Sequence, residues 1–100
     1  MSGYEQEIRE DARLIMLKAL AGQVDERLYS GYLETELLRF GIDRPRAWIH
    51  GELEWLETMG AVILLKPGPV VVATLTEKGA RHLRRGVVIE GIKRPGRPGE

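Results

Sequence analysis

Over residues 5–21 the apolar positions Ile8, Ala12, Ile15, Met16 and Ala19 recur at spacings of three and four, and Leu14, Leu17 and Leu20 widen the stripe. That is the helix period, and a stripe this wide predicts a helix buried on more than half its circumference. Glu5, Glu7, Glu10 and Asp11 fill its first turns, where the positive end of the helix dipole favours acids, and Gly22 stands where it should end. The polar residues 23–27 read as a loop. A second helix is predicted over 30–40, capped by Ser30, turned inward at Leu33, Leu37 and Phe40, and stopped by Gly41. A third is predicted from Asp43 as its cap, through Pro45 in its first turn, to Met59. Its core line is Ile49, Leu53 and Leu56, which puts Ala47, Gly51, Glu54 and Thr58 on the opposite face, and Gly60 stops it.

After Gly60 the period changes. Residues 61–65 and 70–75 are short apolar runs rich in β-branched side chains, separated by Lys66-Pro67-Gly68-Pro69. They read as a hairpin of two strands, with Pro67 and Gly68 in the central positions of a type II turn. Thr76 then caps a last helix running to about Arg85. Glu77 lies in its first turn and Arg81, Arg84 and Arg85 lie near its end, both in accord with the dipole, and Gly86 stops it. Residues 87–100 read as an extended, basic, Pro/Gly-rich tail, with 87–89 as an added extended segment and 93–99 expected to be mobile, so the folded domain is expected over residues 1–86.

Helix, helix, short turn, helix, two-stranded hairpin, helix is a mainly α, α+β order. It is the order of a winged helix-turn-helix: a three-helix core, a two-stranded wing and a C-terminal helix. In DNA-binding domains of that design the third helix enters the major groove and the wing reaches nearby phosphates. Valine-rich runs that pair into a larger sheet, or do not pair at all, would overturn this reading and the DNA role with it.

Particular residues carry a resemblance beyond element order. The run Leu53-Glu54-Trp55-Leu56-Glu57-Thr58-Met59-Gly60-Ala61-Val62 resembles the end of a winged-helix third helix entering its first wing strand. The run Ala73-Thr74-Leu75-Thr76-Glu77-Lys78-Gly79 resembles the strand-to-helix junction of ArsR- and MarR-like regulators. Together with Gly91-Ile92-Lys93-Arg94-Pro95, these make nearly the whole chain similar to a family of small proteins encoded in Mu-like phages and prophages, treated as winged-helix, ArsR-like domains. The resemblance implies a DNA-binding or transcription-regulatory role and a dimer. Metal sensing is not carried over, because there is no cysteine and His50 and His82 lie far apart in the sequence.

One hundred residues, 43% hydrophobic and 30% charged, are enough for one core and too apolar for a disordered chain. The absence of cysteine excludes a disulfide framework and a thiolate site, and the acidic start does not read as a secretion signal, so a cytoplasmic location is expected. No membrane span, cofactor, metal or small-molecule substrate is expected. Neither is an enzyme: His50 with Glu54 one turn on is the best acid–base pair available and reads as a surface pair, and no catalytic residue is assigned. The net charge is zero, yet residues 1–60 hold seven Lys/Arg against twelve Asp/Glu, and residues 61–100 hold eight against three. Either the basic half meets an anion, or the acidic half a cation, or the two halves face each other.

Double-stranded DNA is therefore the first expected partner. Arg44, Arg46 and His50 would serve at the start of the third helix, Lys66 at the wing, and Arg81, Arg84, Arg85, Lys93 and Arg94 as a phosphate-contacting set. Glu52, Glu54 and Glu57 on the same helix oppose this. The alternative is a winged-helix module for protein–protein interaction without DNA binding, in phage regulation or assembly, with Trp48 and Trp55 on one helix flank as interface anchors unless they cover the core. A homodimer is expected, for which the wide stripe of the first helix is one candidate surface; the other reading of that stripe is a fully buried central helix. Gly51 in mid-helix either answers to a close neighbour or is unconstrained.

Overall fold

A computed structural model describes residues 2–96. The chain is an α+β fold of four helices and one three-stranded antiparallel sheet: α1 (Ser2–Ala21), β1 (Arg27–Tyr29), α2 (Ser30–Arg39), α3 (Arg46–Thr58), β2 (Val62–Leu65), β3 (Val72–Leu75) and α4 (Glu77–Leu83). α1 is the central helix. Ala12, Met16, Leu17 and Leu20 are fully buried and Leu14 nearly so, and the helix packs against α2, α3, α4, β1 and β3. Most of its wide stripe is thus consumed inside the chain, while Ile8, Ile15 and Ala19 stay partly exposed along the grooves beside the helix. Leu33 and Leu37 of α2, and Ile49, Leu53 and Leu56 of α3, close the same core, which Val62, Ala73 and Leu75 floor from the sheet. Ala47, Gly51, Glu54 and Thr58 are exposed, as the periodicity of α3 required.

The sheet order is β1-β3-β2. β2 and β3 pair as expected, Val62 opposite Leu75 and Leu65 opposite Val72. The expectation of two strands only is corrected: β1, three residues inside the segment between α1 and α2, pairs with the other edge of β3, Arg27 opposite Thr74 and Tyr29 opposite Val72. The polar residues 23–26 still form the connection, with Glu26 in the left-handed region at φ 58 turning the chain into the strand. Because β1 runs straight into α2, Ser30 is the helix's first residue rather than its cap. Its backbone N–H donates to the Val71 carbonyl at 2.8 Å and continues the ladder.

Two further turns differ from expectation for identifiable reasons. The residue before a proline is pushed to extended backbone. Helix α3 therefore starts only after Pro45, which takes the cap position and whose carbonyl accepts from the Trp48 and Ile49 N–H groups; Asp43 does not cap it. At the hairpin tip Pro69 has no N–H to close a turn on Lys66. The closing bond shifts one residue, from the Val70 N–H to the Pro67 carbonyl at 3.3 Å, which puts Gly68 (φ 63) first and Pro69 second. Since proline cannot take positive φ, this is a II′ turn rather than type II.

The helix stops share one device. Gly41 and Gly60, both at φ 81, place their own N–H and that of the next residue on carbonyls of the last turns of α2 and α3. α4 ends the same way, but the left-handed residue is Arg85 (φ 65), and Gly86 lies one position later. Thr76 caps α4 as expected, accepting from the Gly79 N–H at 3.1 Å while its hydroxyl donates to the Gly60 carbonyl.

The expectation of a mobile tail is corrected over residues 93–96, and residues 87–92 are folded with them; residues 97–100, with Arg97, lie outside the described part. Ile89, Ile92 and Pro95 are buried. His82, fully buried, is the anchor: Nδ1 accepts from the Ile89 N–H, so the ring proton sits on Nε2, which donates to the Lys93 carbonyl at 3.0 Å. The Lys93 N–H reaches the Glu10 carbonyl, and the Arg85 guanidinium holds the Pro95 carbonyl at 2.6 Å. These residues form a strap across α1 and α4.

Gly51 is exposed in the middle of α3, and nothing lies within 4 Å of where a Cβ would stand. The position is unconstrained. Gly51→Ala is expected to stabilise the fold by about 0.5–1 kcal/mol through helix propensity, seen as a rise in Tm of a few degrees.

Candidate nucleic-acid interface

The N-terminal end of α3 presents Arg44, Arg46 and His50, and each is already engaged. Arg44, partly buried ahead of the helix, donates to Glu5 of α1 at 3.0 Å and lies 5.2 Å from the centre of the Trp48 ring. Arg46, the first helical residue, is bonded to Glu34 of α2 at 2.7 Å through both Nε and Nη2. His50 shares a hydrogen bond with the buried Ser30 hydroxyl, Nε2 to Oγ, at 2.8 Å. At the tip of the β2–β3 hairpin, Lys66 reaches back to Glu54 of α3 at 3.3 Å, and the Glu57 carboxylate accepts the Leu64 N–H at 3.0 Å. These contacts lay β2 along α3.

The C-terminal basic set divides. Arg84 pairs with Glu77 at 2.8 Å, Lys93 with Asp11 at 3.2 Å, and Arg85 is spent on the strap. Arg81 and Arg94 are exposed and have no side-chain partner among the described residues. The fold does bring Arg44, Lys93 and Arg94 to one open groove of about 790 Å³ between α1 and the α2–α3 turn, where Asp11, Asp43 and Phe40 join them. Arg85 and Arg94 border a second, smaller hollow beside Val87 and Val88. Arg46 and Lys66 line neither.

The acidic residues of α3 do not act alike. Glu54 and Glu57 are exposed, but Glu52, expected on the exposed side, is buried. Its carboxylate accepts from Arg13 Nε at 2.7 Å, both side chains being under 10% exposed, and Arg9 approaches its other oxygen at 3.8 Å. The Arg13 guanidinium also lies 3.8 Å from the centre of the Trp55 ring and donates to the Gly91 carbonyl at 2.8 Å. Gly91, at φ 97, touches the far edge of that ring so closely that a Cβ would stand 2.6 Å from it. Trp55 is thus held between α1 and the strap as a core cover, and Trp48 is half-buried against the core.

Sequence reading missed the Arg13–Glu52 pair, yet the signal was present. Glu52 lies three residues after Ile49 and four before Leu56, and Arg13 lies four before Leu17. Both fall on core faces with opposite charge.

Among the described residues no helix is long and apolar enough to cross a membrane, and no three His, Cys, Asp or Glu side chains are grouped to hold a metal. Comparison with models of known families, with curated proteins and with solved structures finds no match to this chain.

Proposed function

We propose that this chain is a cytoplasmic winged helix-turn-helix domain of phage or prophage type that binds double-stranded DNA through the start of α3 and the tip of the β2–β3 hairpin, in a transcription-regulatory role. The supporting observation is the pairing of β2 with β3 into a hairpin laid along α3 by the Lys66–Glu54 contact, with Arg44 and Arg46 at the N-terminal end of that helix. The sheet is one strand larger than expected, but β1 is a three-residue addition on the far edge of β3 and leaves the hairpin and its tip intact.

The ion pairs do not forbid this use. The paired side chains Arg44, Arg46 and Lys66 and their carboxylates are 27–60% exposed. Pairs of this kind are worth about 0–1 kcal/mol, so phosphate can displace them. Glu34 and Glu54 nevertheless set a repulsive background. Binding to a random duplex at low salt is expected in the tens of micromolar. With three phosphate contacts its logarithm should fall against the logarithm of salt at a slope near −3. Fluorescence anisotropy is the measurement. Replacing both acids, Glu34→Gln with Glu54→Gln, is expected to tighten binding by roughly three- to tenfold. If neither the wild-type chain nor this variant binds, the DNA reading falls.

The second reading, a winged-helix module that binds protein and not DNA, is favoured by one observation: Arg44, Arg46 and Lys66 each already have a carboxylate. The same titration separates the two.

A further inference from the structure

The outward face of the sheet breaks the rule that an antiparallel sheet with one buried face turns polar side chains to water. Register places two cross-strand rows on that face: Tyr29, Val72 and Leu65, and Arg27, Thr74 and Ile63. Ile63 is 55% exposed, Leu65 51% and Tyr29 39%. Tyr32, 60% exposed, stands edge-on to Tyr29 with ring centres 4.8 Å apart, and Val70, 38% exposed, stands near the hairpin tip. Half of the large apolar side chains that the described chain leaves exposed therefore gather on or beside one sheet face. Of the other apolar surfaces, Trp55 is covered by Arg13 and Gly91 and most of the α1 stripe is buried, with Ile8, Ile15 and the exposed Phe40 left along the groove beside α1.

We propose that this face is where a second copy of the chain packs, sheet face against sheet face, in a symmetric dimer. The inference goes beyond the DNA reading and does not depend on it. Three features favour a second copy. Both edge strands are poor templates for strand addition: β2 has its Leu64 N–H taken by Glu57, and β1 is only three residues long with the Arg27 N–H on Asp25, which favours the face over the edges for association. The face carries a single charge, Arg27, which has no carboxylate partner for its guanidinium among the described residues and has Asp25 and Glu26 beside it in the chain. A patch with that rim offers both signs to a copy of itself and little to a polyanion. The apolar surface there is on the order of 500 Å², near the upper end for a monomer. With its rim it approaches a tenth of the 6041 Å² total, the share a standard interface takes from a small protein.

Sedimentation velocity of the full chain from about 1 to 200 μM should give a reversible monomer–dimer equilibrium, with Kd in the micromolar range. Ile63→Lys and, separately, Leu65→Glu should each weaken it at least about tenfold, with unchanged far-UV circular dichroism because both side chains face solvent. Ile63→Thr keeps the β-branch and serves as the milder variant if a charge disturbs the hairpin; it should also weaken association. Phe40→Ser, exposed but off the sheet, should leave the equilibrium as it was. The proposal is overturned by a chain that stays monomeric to about 200 μM, or by a dimer that survives all three sheet variants or dissociates with Phe40→Ser. DNA affinity, measured separately, decides the other reading.

Discussion

Arg13→Ala is expected to destabilise the fold by about 3–5 kcal/mol, a large part of what a domain of this size has to lose. The guanidinium sits at 6% exposure against a carboxylate at 7% and makes three contacts at once: Glu52 at 2.7 Å, the Trp55 ring at 3.8 Å and the Gly91 carbonyl at 2.8 Å. Removing it leaves Glu52 buried with only a distant Arg9, an unpaired strap carbonyl and a void beside an indole. The net worth of the pair is a different quantity. Two desolvated charges gain little over apolar groups of the same volume, so Arg13→Met with Glu52→Leu should recover most of the loss and can even exceed the wild type. Urea unfolding of the two single variants and the double variant checks this. The Arg13→Ala midpoint should fall by roughly 2 M, and a single-variant loss under about 1 kcal/mol would mean that the pair is solvated.

The second large effect is a reversal of sign between two helical glycines. Gly→Ala in a helix ordinarily gains up to about 1 kcal/mol, as expected at Gly51. At Gly79 the same change should cost about 3 kcal/mol. A Cβ there would collide with the Ala61 backbone carbonyl and stand 2.8 Å from Leu75 Cδ1. That carbonyl cannot yield, since it accepts the Thr76 N–H at the junction of β3 and α4. The close approach sets how tightly α4 packs on the start of β2, and with it the position of His82 and the strap. Thermal unfolding of the two variants side by side tests the contrast. Equal shifts would show that α4 does not approach Ala61 as described.

Much of the fold was legible because the chain announces it locally. The three- and four-residue spacing in α1, the core line Ile49, Leu53 and Leu56, and the valine-rich runs are periodic signals that need no knowledge of neighbours. Gly41 and Gly60 were readable as stops because they supply the left-handed residue that a helix end demands. Arg85 was not, since nothing in its chemistry marks positive φ, and it takes that conformation where its guanidinium holds the Pro95 carbonyl. β1 was missed because three residues, only one of them turned inward, are too short to show a period, and the strand exists because β3 offers it an edge. The candidate DNA set was legible as a list of cations. That Arg46 would meet Glu34, and Lys66 would meet Glu54, depends on residues twelve apart on different elements.

The sequence by itself determined the order of the four helices and of the β2–β3 hairpin, and the buried line of each helix except Phe40, which was expected inward and is 61% exposed at the end of α2. These follow from side-chain periodicity and backbone sterics within a few residues. Only the tertiary structure decided the fate of the charges and of the last ten described residues. An arginine or glutamate is costly in a core unless a partner from another element arrives within hydrogen-bond reach. A proline- and glycine-rich tail stays loose unless a buried histidine and two arginines bond its carbonyls and its own N–H groups find acceptors. Both conditions are set by packing across the chain, which periodicity alone does not encode.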